Sequence, residues 1–365
     1  MDTNSFKIIH IAYLDNNRSS GVSVVVPKHI LYQQKYADVA FVNINGDKPI
    51  SNLDNQLPLD TLFPGFKRVA NFGKPLLIVF HEVYYLVYIK IASLLRKNKI
   101  PYVIVPHGCL TFGAQNKKRL KKAIFNFFLF NRFICKANII QCLSSFEMKQ
   151  SHFEVPKFIS SNGFEYHDCS NECEKEKTIV YIGRLDIYHK GIDLLIQSIF
   201  LSKEEVLRSG CKIHLYGPGT KKTKRKIKSL ISKKGLSSII NLNDAVFGDE
   251  KITIIKKSRF FVQTSRFEGM PLGILEAMSY GVPCLVTEGT TLAECVDQYD
   301  AGWTAENNAL SISDAFKKSL FASDDVLTKK SMGALKLIDS QFNWDNLSKY
   351  AIEQYEKLFE IGRDN

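Results

Sequence analysis

No stretch of this 365-residue chain reaches the ~18 to 20 uninterrupted apolar residues that a membrane-spanning helix needs. The nearest approach, Pro75 to Leu95, is broken by His81, Glu82 and Lys90 and reads as a strand followed by a helix. The opening MDTNSFKIIHIAYL lacks a cationic start joined to a long apolar core, so no secretion signal is expected and the cytosol is the expected compartment. Organised cysteine is missing too. Of the eight cysteines only Cys169 and Cys173 are close neighbours, and neither a second pair nor a histidine at ligand spacing joins them, so no zinc site is expected. Most of the others sit in apolar stretches and read as reduced, structural thiols. Helix-turn-helix, RNP-type aromatic pair and metal finger are all absent, which argues against a nucleic-acid partner despite the charge.

That charge is +12, and a surplus of this size favours an anionic partner such as a nucleotide, a phospholipid surface or nucleic acid, among which charge alone does not choose. A hydrophobic fraction of 45% with 24% charged residues excludes disorder, and the length suits two α/β domains. Runs rich in Val, Ile and Phe alternate with longer stretches of helical spacing, the pattern of parallel βαβ units. In the first half, strands are expected at Lys7 to Leu14, Val39 to Ile44, Leu76 to His81, Tyr102 to His107 and Asn138 to Leu143. In the second half they are expected at Thr178 to Gly183, Lys212 to Gly217, Ile239 to Leu242, Arg259 to Thr264 and Pro283 to Thr287. These runs are apolar throughout rather than alternating, as strands covered on both faces are. The reading gives a first domain over 1–164, a polar linker over 165–177, a second domain over 178–343, and a terminal helical stretch, 344–365, that either closes the second domain or crosses back to the first.

Ligands of open parallel sheets sit beyond the carboxyl ends of the strands, so the residues that follow each strand are the candidates for chemistry. The strongest signal is Arg266-Phe-Glu-Gly-Met-Pro-Leu-Gly-Ile-Leu-Glu-Ala277, which puts Glu268 before a helix and Glu276 more than a turn into it. A helix start opened by Pro271, with Gly269 beside it, offers unpaired amides and a positive dipole end to a diphosphate. Glu276 is placed to accept hydrogen bonds from ribose hydroxyls. The second signal is Tyr181-Ile-Gly-Arg-Leu-Asp-Ile-Tyr-His-Lys-Gly191: a strand ends in Gly183 and Arg184, and Lys190 and Gly191 stand at a helix start. Two fixed cations there neutralise the charge that builds on a departing diphosphate.

With these two elements the sequence resembles retaining glycosyltransferase family 4, of the GT-B fold, in which two Rossmann-like doubly wound domains face each other across a cleft. Tyr216-Gly-Pro-Gly219, Asn162-Gly163, Pro106-His-Gly108 and Glu294 agree with the resemblance. It implies that Arg184 and Lys190 bind the donor diphosphate, that Glu276 holds the ribose, and that Glu268 contacts the transferred sugar. It also implies that Gly269, Met270 and Leu272 help hold sugar and phosphates through their amides, that Gly21 approaches the phosphates from the first domain, and that His107 lies by the sugar C6 hydroxyl. Three places depart from the family pattern. The first glycine loop is Ser19-Ser-Gly-Val22, a later Gly-Gly is Thr290-Thr291, and Met270-Pro271 stands where aromatic-Gly is frequent.

The activity so implied is transfer of a hexose-type sugar from a UDP- or GDP-linked donor to a sugar or lipid-linked oligosaccharide acceptor in bacterial surface polysaccharide assembly. A GT-B nucleotide-sugar epimerase and an inactive partner subunit are the alternatives. No D-x-D motif occurs, so neither a metal nor a separate cofactor is expected. Lys117-Lys-Arg-Leu-Lys-Lys122 leads into a Phe-rich run ending at Phe130, read either as a helix docking on an anionic inner-membrane surface or as a solvated helix with its Phe residues in the core.

Overall fold

The structure is a computed structural model that describes residues 6–15, 21–46, 49–50, 53–61, 75–111, 130–165, 174–268 and 270–360. The chain forms two compact units, Met1–Gly163 with Trp344–Asn365, and Phe164–Asn343.

The first unit is a seven-stranded sheet built from β1 (Lys7–Ala12), β2 (Asp38–Asn43), β3 (Gln56–Leu57), β4 (Leu76–His81), β5 (Tyr102–Val105), β6 (Ile139–Cys142) and β7 (Lys157–Ile159), in the order β3-β2-β1-β4-β5-β6-β7 with every pairing parallel. Burial on both faces explains the unbroken apolar runs. One face packs under the Leu86–Lys97 and Asn131–Cys135 helices, and the other under Gly21–Gln33 and Trp344–Glu360. The last helix thus completes the first unit, with Ala351, Ile352 and Tyr355 in that core.

The second unit holds β8 (Thr178–Ile182), β9 (Lys212–Tyr216), β10 (Ile240–Asn243), β11 (Phe260–Gln263), β12 (Cys284–Thr287) and β13 (Gly302–Ala305), in the order β10-β9-β8-β11-β12-β13, again parallel throughout. Two helical layers cover it: Ile192–Leu201 and Ala309–Leu320 among those on one face, Leu272–Ser279 and Asp324–Gln341 among those on the other.

The strands beyond the expected ten are β3, β7 and β13, all at sheet edges and partly exposed, where Gln56, Lys157 and Thr304 interrupt the apolar runs that marked the rest. The run expected to reach His107 stops at Val105, because Pro106 has no N–H for the ladder and His107 turns to φ 49. Of the expected 165–177 linker, residues 166–173 lie outside the described residues. The flanking chain is held by the second unit: Phe164 N–H donates to the Phe342 carbonyl at 2.6 Å and Glu176 N–H to the Lys257 carbonyl at 2.8 Å. Where the first unit ends, a Cβ on Gly163 would lie 2.4 Å from the Trp344 ring, so only glycine fits between the two ends of that unit.

Among the described residues no helix is long and apolar enough to cross a membrane. The basic, Phe-rich segment 117–130 lies outside the described residues except Phe130, which is buried in the first unit's core. Cys169 and Cys173 lie outside them too.

Candidate active site

In the second sheet the chain winds outward from β8 through β9 in one direction and from β11 through β12 in the other, so β8 and β11 flank the point where strand order reverses. Loops beyond the carboxyl ends of two such strands diverge and leave a crevice. Both sequence signals fall there. After β8, Gly183 N–H donates to the Tyr216 carbonyl (3.0 Å) and Leu185 N–H to the Pro218 carbonyl (2.8 Å), lacing the loop to the turn after β9. A Cβ on Gly217 would come within 1.8 Å of the Gly183 carbonyl, which accounts for glycine in Tyr216-Gly-Pro-Gly219. The Arg184 backbone is fixed by the Tyr181 hydroxyl, which donates to its carbonyl at 2.8 Å, while the side chain stays exposed, its guanidinium 3.2 Å from His189 Nδ1. His189 stacks on Phe267, ring centroids 4.4 Å apart, and burial lowers its pKa.

Lys190 turns the other way. Gly191, at φ 62, passes so close under the end of β11 that a Cβ would sit 1.8 Å from the Thr264 carbonyl. This brings Lys190 Nζ to 2.5 Å from Oε1 of Glu268, with the two side chains only 17% and 8% exposed. The same oxygen accepts from Gln263 Nε2 at 2.9 Å and Ser265 Oγ at 2.7 Å. Three donors converge on one carboxylate oxygen, while Oε2 has no hydrogen-bond partner among the described residues. A nearly buried carboxylate needs such compensation, and its remaining oxygen is left to accept from a ligand hydroxyl. The expectation set Lys190 on a diphosphate and Glu268 on a sugar; the structure adds that they are an ion pair. Gln263 and Ser265 escaped the sequence reading, although the polar run Gln263-Thr-Ser265 ending an apolar strand was a visible signal. Arg266 clamps the loop with a bidentate bond to Asp193 (2.8 and 2.7 Å), a third donation to the Tyr188 carbonyl and a stack on the Tyr188 ring.

The Leu272–Ser279 helix follows with Pro271 at its N-cap, one residue earlier than a first-turn proline. The expected row of ligand-binding amides needs correction: Pro271 has none, and the Leu272 N–H is already given to the Met270 carbonyl at 3.1 Å. Gly269 lies outside the described residues. Glu276 is half-buried and ion-paired through Oε2 with Lys251 of the Gly248–Lys257 helix, a partner the sequence reading missed. The turn that follows β12 also approaches, since a Cβ on Gly289 would lie 2.3 Å from the Arg266 carbonyl.

In the first unit, Gly21 opens the Gly21–Gln33 helix and is exposed; the preceding Ser19 and Ser20 lie outside the described residues. His107 and Gly108 follow β5, at φ 49 and φ 83. The buried Glu147 shapes this loop by accepting from the Gly108 N–H through Oε1 and from the Leu143 N–H through Oε2 (2.7 Å), and burial raises its pKa. His107 Nε2 lies 2.9 Å from His81 Nδ1. No single unit gathers all the expected residues: Arg184, Lys190, Glu268 and Glu276 belong to the second, Gly21 and His107 to the first.

Residues 164–327, nearly all of the second unit, match the model of the family described as glycosyl transferases group 1. Through this unit the chain resembles that family. The O-antigen chain mannosyltransferase B of Escherichia coli is 35% identical over 104 residues, which are 28% of this chain and 26% of the relative. A probable sucrose-phosphate synthase of Thermosipho melanesiensis is 25% identical over 224 residues, 58% of this chain and 48% of the relative. The matches thus span about a quarter and about half of the curated relatives' length. Among solved structures, Anabaena HepE in complex with UDP and glucose superposes with a TM-score of 0.68 at 14% identity, covering 96% of this chain and 99% of that one. The fold of the chain is therefore GT-B, as the resemblance implied.

Proposed function

We propose that this chain is a retaining glycosyltransferase that moves a hexose-type sugar from a nucleotide diphosphate to a sugar or lipid-linked acceptor in bacterial surface polysaccharide assembly. The observation that carries the reading is the Lys190–Glu268 pair held by Gln263 and Ser265 at the strand-order reversal of the second sheet, with Arg184 exposed beside it. In this reading Arg184 and Lys190 take up charge on the diphosphate as the bond from the anomeric carbon to its oxygen breaks. The acceptor oxygen bonds to the same face of that carbon, and its proton passes to the departing phosphate oxygen. Glu268 Oε2 accepts from a sugar hydroxyl, and Glu276 holds the ribose. Charge compensation is assigned to the two cations, so the reading asks for no divalent ion. The O-antigen mannosyltransferase relative supports the polysaccharide role, and the HepE complex supports a nucleotide-linked hexose as donor. The net charge of +12 fits a cytosolic enzyme working against an anionic membrane surface.

A thermal-shift panel of UDP- and GDP-hexoses tests the donor, since a ligand at 100 times its dissociation constant stabilises by about 2.7 kcal/mol. One donor should raise the melting temperature of the native chain and leave Lys190→Ala and Arg184→Ala unmoved. Acceptor-dependent release of free UDP or GDP then separates transfer from epimerisation. A panel without any shift, or equal shifts in the two variants, refutes the assignment.

A further inference from the structure

The face of the first sheet under the Gly21–Gln33 and Trp344–Glu360 helices carries a line of buried polar groups running through its apolar core. His10 on β1, His81 at the end of β4 and His107 beyond β5 step diagonally across three adjacent strands, since His10 pairs with Val79 and His81 with Val105. Their rings are joined in order, His10 Nδ1 to His81 Nε2 at 2.8 Å and His81 Nδ1 to His107 Nε2 at 2.9 Å. At its inner end His10 Nε2 meets Gln33 Oε1 at 2.9 Å. Behind Gln33, whose side chain adjoins it, the Tyr355 hydroxyl donates to Gln141 Oε1, and Gln141 Nε2 donates to the Ser160 carbonyl at 3.1 Å.

Hydrogen-bond chemistry gives this line one direction. A carbonyl only accepts, so Gln141 must turn its NH2 to Ser160 and its oxygen to Tyr355. The Tyr355 proton is then committed to Gln141, so the oxygen beside Gln33 can only accept, which suits the Gln33 NH2 on that side and its oxygen on His10. A neutral imidazole has one N–H. His10 therefore donates from Nε2 and accepts at Nδ1, His81 does the same, and His107 donates from Nε2. Burial keeps the rings neutral: it lowers the pKa of His10 and of His107 to about 3 and that of His81 well below the ordinary value. A metal shared between the rings does not fit, because nitrogens bound to one zinc at ~2.0–2.1 Å stand further apart than these hydrogen-bonded pairs.

We infer that this relay is a positioning device that locks His107 in its Nε2–H tautomer and leaves the Nδ1 lone pair on the first unit as an acceptor for a ligand hydroxyl. His107 Nδ1 has no hydrogen-bond partner among the described residues. Gln33, Tyr355, His10 and His81 are positioning residues that act through His107. What meets the lone pair rests on the proposed function; the tautomer does not.

Nitrogen-15 spectra of the imidazoles in the full-length chain read the tautomer, with His107 assigned by the signals lost in His107→Gln. The native chain should show His107 with a protonated Nε2 and an unprotonated Nδ1. Tyr355→Phe, which frees Gln33 to turn, and Gln33→Met should each give a tautomeric mixture, whereas Gln33→Glu, which only accepts from His10 once ionised, should restore the native pattern above the pKa of the new carboxyl. In transfer assays Gln33→Met should lower kcat by about tenfold with little change in donor KM, the signature of an interaction made in the transition state. A native His107 protonated at Nδ1, or a Gln33→Met spectrum identical to the native one, overturns the inference even if a variant folds poorly. Absence of any transfer with the native chain would instead defeat the proposed function and leave the tautomer result standing.

Discussion

Gly191 shows how one residue without a side chain places two with charge. The backbone at φ 62 lies in the left-handed region, and the Thr264 carbonyl occupies the space a Cβ would need, 1.8 Å away. Lys190 reaches Glu268 only because the chain can pass this close to the end of β11. Gly191→Ala combines ~1–2 kcal/mol for left-handed backbone with ~1–3 kcal/mol for overpacking. Chemical denaturation should therefore show a loss of about 2–5 kcal/mol, and nucleotide-sugar stabilisation should disappear with it because the Lys190–Glu268 pair is displaced. A loss below about 0.5 kcal/mol, the range of ordinary surface substitutions, would mean the loop relaxes freely and does not set the pair.

Whole elements were legible where burial writes itself into composition. The ten expected strands announced themselves by apolar runs, whereas β3, β7 and β13 are partly exposed edge strands in which Gln56, Lys157 and Thr304 break any such run. Glu268, Lys190 and Arg184 were legible because they follow strands directly. The relay through His10, His81 and His107 was not, since its members lie 71 and 26 residues apart and meet only through strand register. The turn after β12 shows the same limit from the other side. Thr291 stands where the resemblance led us to expect glycine, and the structure puts it at φ 65, in a conformation that β-branched residues resist. Its neighbour Thr290 closes the turn instead, its buried hydroxyl donating to the Thr287 carbonyl at 2.7 Å. Thr291→Gly should thus relieve strain of ~1–2 kcal/mol and raise stability, read as a higher denaturation midpoint at unchanged m-value. A destabilised variant would show that the Thr291 side chain makes a compensating contact.

Across the whole molecule, buried neutral histidine is concentrated in the first unit. His10, His29, His81 and His107 all belong to it; burial is the leading cause in each, with pKa values of about 3, 4 and 3 for His10, His29 and His107 and a strong lowering for His81. They face one another, Gln33 and the Asn162 oxygen, with no carboxylate among these partners. A lowered folded-state pKa means that, below the ordinary value of about 6.5, the unfolded chain binds protons the folded one refuses, so stability falls with pH. Glu82 and Glu147, raised by burial, act in the opposite sense and offset part of this. Two carboxylates offset at most ~2 of the four histidines' protons, so the unfolded chain takes up at least ~2 net, a loss of no less than about 2 kcal/mol per pH unit between about pH 6 and pH 5. The two tryptophans report the units separately, Trp344 from the first, edge-on to His29 at 4.9 Å, and Trp303 from the second. In Trp303→Phe the Trp344 fluorescence should therefore follow a denaturant midpoint that drops steeply on acidification from pH 7 to pH 5. A midpoint flat over that range would mean these imidazoles take up protons in the folded state, and the neutral, directional relay would fail with it.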